Sequence, residues 1–280
     1  MKIGVSSYSF AQKIRTGEMT MKDTIKAASD MGFEYIEFTD IVPSDGKTVQ
    51  ECAKELRDEA EKCGIRISAY VVGADFSKKD AQEEIERLKE CVDVAEILGV
   101  KFFRHDISFS YGEFRSFDEM LPYAAANVRK VTEYAASKGI KTMSENHGFI
   151  CQDSDRMERF INAVNHPNYG LLADMGNFMC ADENPAMALS RVANFAFLAH
   201  AKDFVRTDFA DCKNSEGLLQ TRGCNYLKGV SVGSGDVPVA QCVAILKKAG
   251  FDGHIDIEYE GSEDCIEGIR KGFEYLKKIV

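Results

Sequence analysis

Four residues able to bind hard or borderline cations stand at the ends of four separate β-type runs: Glu145 in IKTMSENHG, Asp174 in YGLLAD, His200 in FAFLAHAK and Glu258 in HIDIE. Three carboxylates and one imidazole, with no thiolate among them, suit Mn2+, Mg2+, Co2+ or Zn2+. Each residue alone is an ordinary strand-end polar group. Their recurrence at successive run ends is what points to a site. Residues two apart on a strand share a face, so Glu145 and His147 are expected to look into a common space with Asn146 turned away.

The elements that would carry these residues repeat along the whole chain. Short β-rich runs are expected at Lys2–Ser7, Tyr35–Phe38, Ile65–Val72, Val100–Arg104, the run ending at Glu145, Tyr169–Asp174, Phe195–Lys202 and His254–Glu258. Amphipathic stretches of helix length separate them. Ile85, Leu88, Val92 and Ala95 form one apolar stripe, and Gly32, Gly64 and Gly99 stand where helices should stop. Eight strand–helix rounds predict an α/β fold, a closed (β/α)8 TIM barrel forming one domain over residues 1–280. An open doubly wound sheet is the runner-up, but it would want a glycine-rich loop after the first strand, where the chain reads SSYSF. In a barrel the last four strands are neighbours, so Glu145, Asp174, His200 and Glu258 would meet on one rim.

The connection from Asp203 to Pro238 is unusually long, and its composition predicts an irregular rim segment with the character of a lid. It contains Arg206 and the glycines of GVSVGSGD. Elsewhere on the rim, Glu37, His105 and Asp106 could touch substrate, but structural hydrogen bonds are the favoured expectation. Lys202 is expected to pair with a carboxylate or touch substrate. His166, before Pro167, reads as a turn residue, and His254 belongs at the opposite end of the barrel.

Composition narrows the function classes. A net charge of −10, spread over Glu/Lys-rich helices, repels polyanions and argues against a nucleic-acid partner. No apolar run reaches the roughly 20 residues that cross a bilayer, and the N-terminus moves straight into a strand pattern, so a cytoplasmic protein without a membrane partner is expected. Nine scattered cysteines without a Cys-x-x-Cys pair argue against a thiolate zinc site or a disulfide framework.

The motifs SENHG, LLADMGNF, HAKDFVR, GSGD at 233–236 and IDIEYEG, in this order, resemble the sugar isomerase and epimerase group of the xylose isomerase-like barrels, especially ketose 3-epimerases and hydroxypyruvate isomerases. The resemblance covers essentially the whole length. It implies that Glu145, Asp174, His200 and Glu258 hold one divalent metal ion, with Glu145 and Glu258 also serving as acid and base on opposite sides of the reacting carbon. It further implies that Arg206 and His147 contact the substrate.

One departure concerns Asn177, which stands three residues after Asp174 where many relatives carry histidine. Asparagine can hydrogen-bond a substrate oxygen but cannot act as an acid. The expected activity is a divalent-metal-dependent isomerase or epimerase acting on a small sugar or polyol through an enediolate. A metal-dependent lyase on the same barrel, dehydrating or cleaving a sugar derivative, is the alternative. A sugar-binding barrel without catalysis is a third class, and assembly into a homo-oligomer stays open. The related apurinic endonucleases bind three zinc ions through a richer histidine cluster than five histidines can supply.

Overall fold

The computed structural model describes residues 1–43 and 46–280. In chain order the elements are β1 (Lys2–Ser6), α1 (Ala11–Arg15), α2 (Met21–Met31), β2 (Tyr35–Thr39), α3 (Val49–Cys63), β3 (Arg66–Val72), α4 (Gln82–Leu98), β4 (Phe102–His105) and α5 (Phe117–Ser137). They continue with β5 (Lys141–Glu145), α6 (Ser154–Val164), β6 (Tyr169–Asp174), α7 (Asn177–Cys180), α8 (Pro185–Val192) and β7 (Ala196–Ala201). The last third holds β8 (Asp203–Thr207), β9 (Leu219–Gln220), β10 (Tyr226–Val230), α9 (Val239–Lys248), β11 (His254–Ile257) and α10 (Cys265–Leu276).

Eight parallel strands close into a barrel in the order β1-β11-β7-β6-β5-β4-β3-β2, so the expected TIM barrel is the fold. Local sequence starts and stops its helices. Thr20 and Asp23 form a capping box at α2, as Thr48 and Glu51 do at α3. Gly32 (φ 92°) and Gly64 (φ 69°) end those helices in the left-handed conformation that a β-carbon disfavours. The fourth strand starts two residues later than its composition suggests, because Val100 N–H still bonds back to Ala95 O at the end of α4.

Alternation along the strands divides the apolar residues into two sets. Outward residues pack under the helices in the main core, while Ala69, Val71, Met143, Leu172 and Leu198 form a separate cluster. These five occupy the inward positions of β3, β5, β6 and β7. One step further along the same inward faces come Glu145, Asp174 and His200, two residues after Met143, Leu172 and Leu198 respectively. The period that fills the barrel with apolar side chains therefore also aims the polar ones at its mouth.

The inward position on β11 is Asp256, which is fully buried and accepts a 2.8 Å hydrogen bond from Ser68. Gly4 on β1 makes room for it: a β-carbon there would lie 2.0 Å from Asp256 Oδ1.

The segment after β7 corrects the expectation of an irregular excursion. It forms a three-stranded antiparallel sheet in the order β8-β10-β9. Phe204 and Leu227 are buried beneath it. Asp203, also buried, accepts backbone N–H bonds from Gly233 and Gly235 at 2.9 Å and from Val237 at 3.1 Å, which pins the returning glycine loop. Its strands are short, and the polar tip between β8 and β9 masks their alternation, so composition alone read as loop.

Gly4→Ala should destabilise the barrel by about 1–3 kcal/mol, the usual range for overpacking a filled interior, because Asp256 is a short buried side chain. Urea denaturation would show a lower midpoint; an unchanged midpoint would contradict this packing.

Candidate metal centre

Strands β5, β6, β7 and β11 are consecutive in the barrel, and their registers bring the four rim residues together. Asp174 pairs with His200, Glu145 with Leu172, and His200 with Asp256, two residues before Glu258. One ligand atom from each of Glu145, Asp174, His200 and Glu258 lies within 4.8 Å of all the others, and all four residues are buried. His200 Nδ1 is 3.6 Å from Glu258 Oε2, 3.9 Å from Asp174 Oδ2 and 4.0 Å from Glu145 Oε1.

These atoms fit a divalent cation on grounds of their own bonding. Asp174 Oδ2, His200 Nδ1 and Glu258 Oε2 are buried and, among the described residues, have no hydrogen-bond partner. Such a concentration of unsatisfied buried polar atoms is rare and calls for a partner. The other atoms of the same residues are well held. Asp174 Oδ1 accepts the backbone N–H groups of Gly176 (2.7 Å) and Asn177 (2.9 Å), leaving Oδ2 for a ligand bond.

His200 Nε2 faces Glu37 Oε2 at 3.0 Å. A proton on Nε2 leaves the Nδ1 lone pair pointing at the three carboxylates, the tautomer that a ligating histidine needs.

Asn146, turned away from the barrel interior, donates to Asp174 O and accepts from Asp174 N–H, both at 2.9 Å. Its amide continues the β5–β6 ladder with a side chain where the backbone pairing ends.

Two buried cations border the cluster. Arg104, at the inward end of β4, places Nη2 2.6 Å from Glu145 Oε2, 2.7 Å from Asp106 Oδ1 and 3.2 Å from His147 Nδ1. Lys202 Nζ lies 2.5 Å from Glu258 Oε2, 3.3 Å from Asp174 Oδ2 and 3.4 Å from Glu260 Oε1. Asp174 Oδ2 and Glu258 Oε2 thus share the charge of one ammonium while accepting no hydrogen bond.

Burial favours a neutral Glu258, yet Lys202 and His200 outweigh it and hold the carboxyl well below its usual range. Asp174 goes the other way, because burial, together with Glu145 and Glu258, exceeds the help from Lys202 and raises its carboxyl. Burial works to lower His147, but the 2.9 Å bond to Asp106 and the nearby Glu145 raise it on balance.

A cavity of about 430 Å3 opens beside the cluster. Of the residues expected to meet substrate, His147 and Asn177 line it, and Lys202 does too. The strand stops at Glu145, so His147 sits on the following loop, yet both reach Arg104 as their shared direction predicts. Asn177 donates to Glu145 Oε1 at 2.7 Å and accepts from Lys202 at 3.2 Å.

Arg206 is placed elsewhere. It lies on β8, with Nε 2.9 Å from Asp208 and its backbone N–H on Asp236, and it does not border this cavity. Glu37, His105 and Asp106 make the structural bonds expected of them: Glu37 to His200, His105 to Asp106 O at 2.8 Å, and Asp106 to Arg104 and His147. His166 accepts the Asn168 N–H in a turn, and the His254 ring packs tilted against Tyr35, centroids 4.0 Å apart, at the barrel's far end.

Arg104 and Asn146 were not foreseen as part of the site. The run containing Arg104 read as an apolar strand, and the only signal was a cation at the strand's last inward position.

An eight-stranded parallel barrel whose rim gathers three carboxylates and an imidazole defines a class: (β/α)8 proteins with a residue set that could hold a metal at the strand C-termini. The chain belongs to the xylose isomerase-like TIM barrel family, whose sequence profile matches residues 25–279. No curated protein matches it by sequence.

Among solved structures it is similar to the IOLI protein with a binding zinc atom, with a TM-score of 0.78 and 17% identity over 100% of this chain and 98% of that one. It is also similar to the probable 3-DHS dehydratase AsbF of Bacillus anthracis, at TM-score 0.75 and 16% identity over 99% of each chain. A third is the D-psicose 3-epimerase of Clostridium cellulolyticum H10 with D-tagatose, at TM-score 0.75 and 13% identity over 100% of this chain and 99% of that one.

Glu37→Ala should weaken Mn2+ binding about 10–100-fold while leaving the fold intact, since a carboxylate behind a ligating histidine fixes its ring and tautomer. Calorimetric titration would check this; unchanged affinity would remove Glu37 from the centre.

Proposed function

We propose that this protein is a divalent-metal-dependent isomerase or epimerase of small sugars, polyols or their derivatives. The observation that carries the reading is the set of unsatisfied ligand atoms on Asp174, His200 and Glu258, joined by Glu145, beside a cavity into which His147, Asn177 and Lys202 open. When bound there, Mn2+, Mg2+, Co2+ or Zn2+ would stabilise negative charge on adjacent substrate oxygens and so acidify the neighbouring C–H.

The chain's own residues supply the proton transfers. Glu145 and Glu258 flank the cluster from β5 and β11, with β6 and β7 between them. Glu258, held as a carboxylate by Lys202 and His200, takes the proton from carbon. Glu145, fixed through one oxygen by Arg104 and through the other by Asn177, stands on the opposite flank, where it takes up a proton from solvent and delivers it to carbon. His147, Asn177 and Lys202 orient the substrate oxygens. The small-molecule cavity and the acidic net charge of −10 suit a sugar substrate and not a polyanion.

A lyase is the second reading, and the His147–Asp106 pair favours it. A histidine whose bond to Asp106 helps it keep a proton can protonate a departing hydroxyl. The same first proton abstraction would then end in elimination.

Solvent exchange separates these outcomes. In deuterated water, NMR over ketoses, aldoses, hydroxypyruvate and inososes should reveal one compound whose C–H exchanges only with metal present. Glu145→Gln and Glu258→Gln should each slow the exchange by at least about 100-fold. An epimer or aldose as product supports isomerisation, and a dehydrated product supports the lyase. Exchange that survives both substitutions would rule out the glutamate pair.

A further inference from the structure

Three loops from different parts of the chain each bring a large apolar side chain to the mouth of the 430 Å3 cavity. Phe109 comes from the loop after β4, Phe149 from the loop after β5, and Leu219 from β9 of the small sheet. They are 54%, 36% and 39% exposed, well above what apolar side chains of this size show in the core. Exposed apolar residues scattered singly need no explanation, but three converging on one opening do.

Phe149 adds a second observation. Its backbone is left-handed (φ 63°), a conformation uncommon for a residue with an aromatic side chain. The loop enforces it: Phe149 N–H donates to Gln152 Oε1 at 2.8 Å, and Phe149 O accepts from Arg222, which is itself paired with Asp153 at 2.8 Å. Strain held in place by surrounding bonds tends to sit at ligand clamps. Here its effect is to keep the ring at the opening. Phe109 is fixed as well, in an edge-on contact with the His147 ring at 5.1 Å.

The cavity lining mixes two chemistries. His147, Asn177 and Lys202 line it where it meets the carboxylate cluster, and Phe109, Phe149 and Leu219 line its exposed part together with the polar side chains of Gln12, Arg15 and Glu260.

We infer that the substrate is a sugar derivative with an apolar, flat substituent, its polyol head beside the carboxylate cluster and its substituent covered by the Phe109, Phe149 and Leu219 side chains. This rests on the metal-dependent sugar chemistry proposed above and narrows its substrate class. A bare sugar would fill the end beside the cluster and leave the three apolar side chains in water. A ring lying on the rim removes apolar surface from water on both partners, which is the driving force for its recognition.

The test compares ligands that share a head and differ only in the substituent: methyl and phenyl glycosides of glucose, galactose and xylose, titrated calorimetrically into Mn2+-loaded protein. At least one phenyl glycoside should bind about ten-fold tighter than its methyl counterpart, the gain expected of one stacked ring. The double variant Phe109→Ala, Phe149→Gly should bring that ratio close to one without changing Mn2+ affinity. Glycine at 149 keeps the loop's backbone bonds and accepts its φ, so loss of the fold is not expected.

Equal affinities in the unaltered protein, a ratio that persists in the variant, or no binding by any phenyl glycoside would each overturn the inference. So would a variant that changes the protein's mass in sedimentation while the ratio stays, because the rim would then serve subunit contact. Failure of Mn2+ to bind would instead count against the metal chemistry, and the phenyl-to-methyl ratio would still be read in metal-free protein.

Discussion

Burying negative charge is the constraint on which this structure turns. Among the described residues seven carboxylates are buried, at Glu37, Asp106, Glu145, Asp174, Asp203, Asp256 and Glu258, against the two strong bases Arg104 and Lys202. Taking a carboxylate out of water costs several kcal/mol unless charge or hydrogen bonds compensate. Asp203 is satisfied by backbone amides, and Arg104 serves Glu145 and Asp106 together. Lys202 is shared between Glu258, Asp174 and Glu260. What remains is the unsatisfied edge of Asp174, Glu258 and His200, where a divalent cation would complete the balance.

The barrel makes such a concentration of charge tolerable. On β5, β6 and β7 the inward positions Met143, Leu172 and Leu198 are apolar and the chain turns polar only at the next inward step, so Glu145, Asp174 and His200 sit in one layer where they can partner each other. Gly4 and Ser68 accommodate the one acid that lies deeper, Asp256. The amide of Asn146 links β5 to β6 at the level of the ligands, so that Asp174 is held through its own backbone. Loops above that layer are free to differ, and in this chain they bring three exposed apolar side chains, Phe109, Phe149 and Leu219, to the cavity.

Much of this was legible in the sequence because it depends on local period. Eight rounds of strand and helix, the glycine stops and the inward alternation that ends in Glu145, Asp174 and His200 all follow from residues near one another. The small sheet after β7 was not legible, since its strands are short and its buried residues, Phe204 and Leu227, lie far apart in sequence. The place of Arg206 depends on that sheet: Asp203 anchors the returning loop, and the arginine ends beside Asp208, away from the cavity. Arg104 could be seen as a cation in an apolar strand, but its partners come from β5 and the loops beyond β4 and β5, which only the closed barrel brings together.

The most direct measurement is a crystal structure of the Mn2+-loaded protein with anomalous scattering recorded at the manganese edge. The account predicts a single strong peak bonded to Glu145, Asp174, His200 Nδ1 and Glu258, with His200 Nε2 still on Glu37. Absence of a peak at that rim, or a manganese held by another set of residues while Lys202 keeps Asp174 and Glu258, would contradict it.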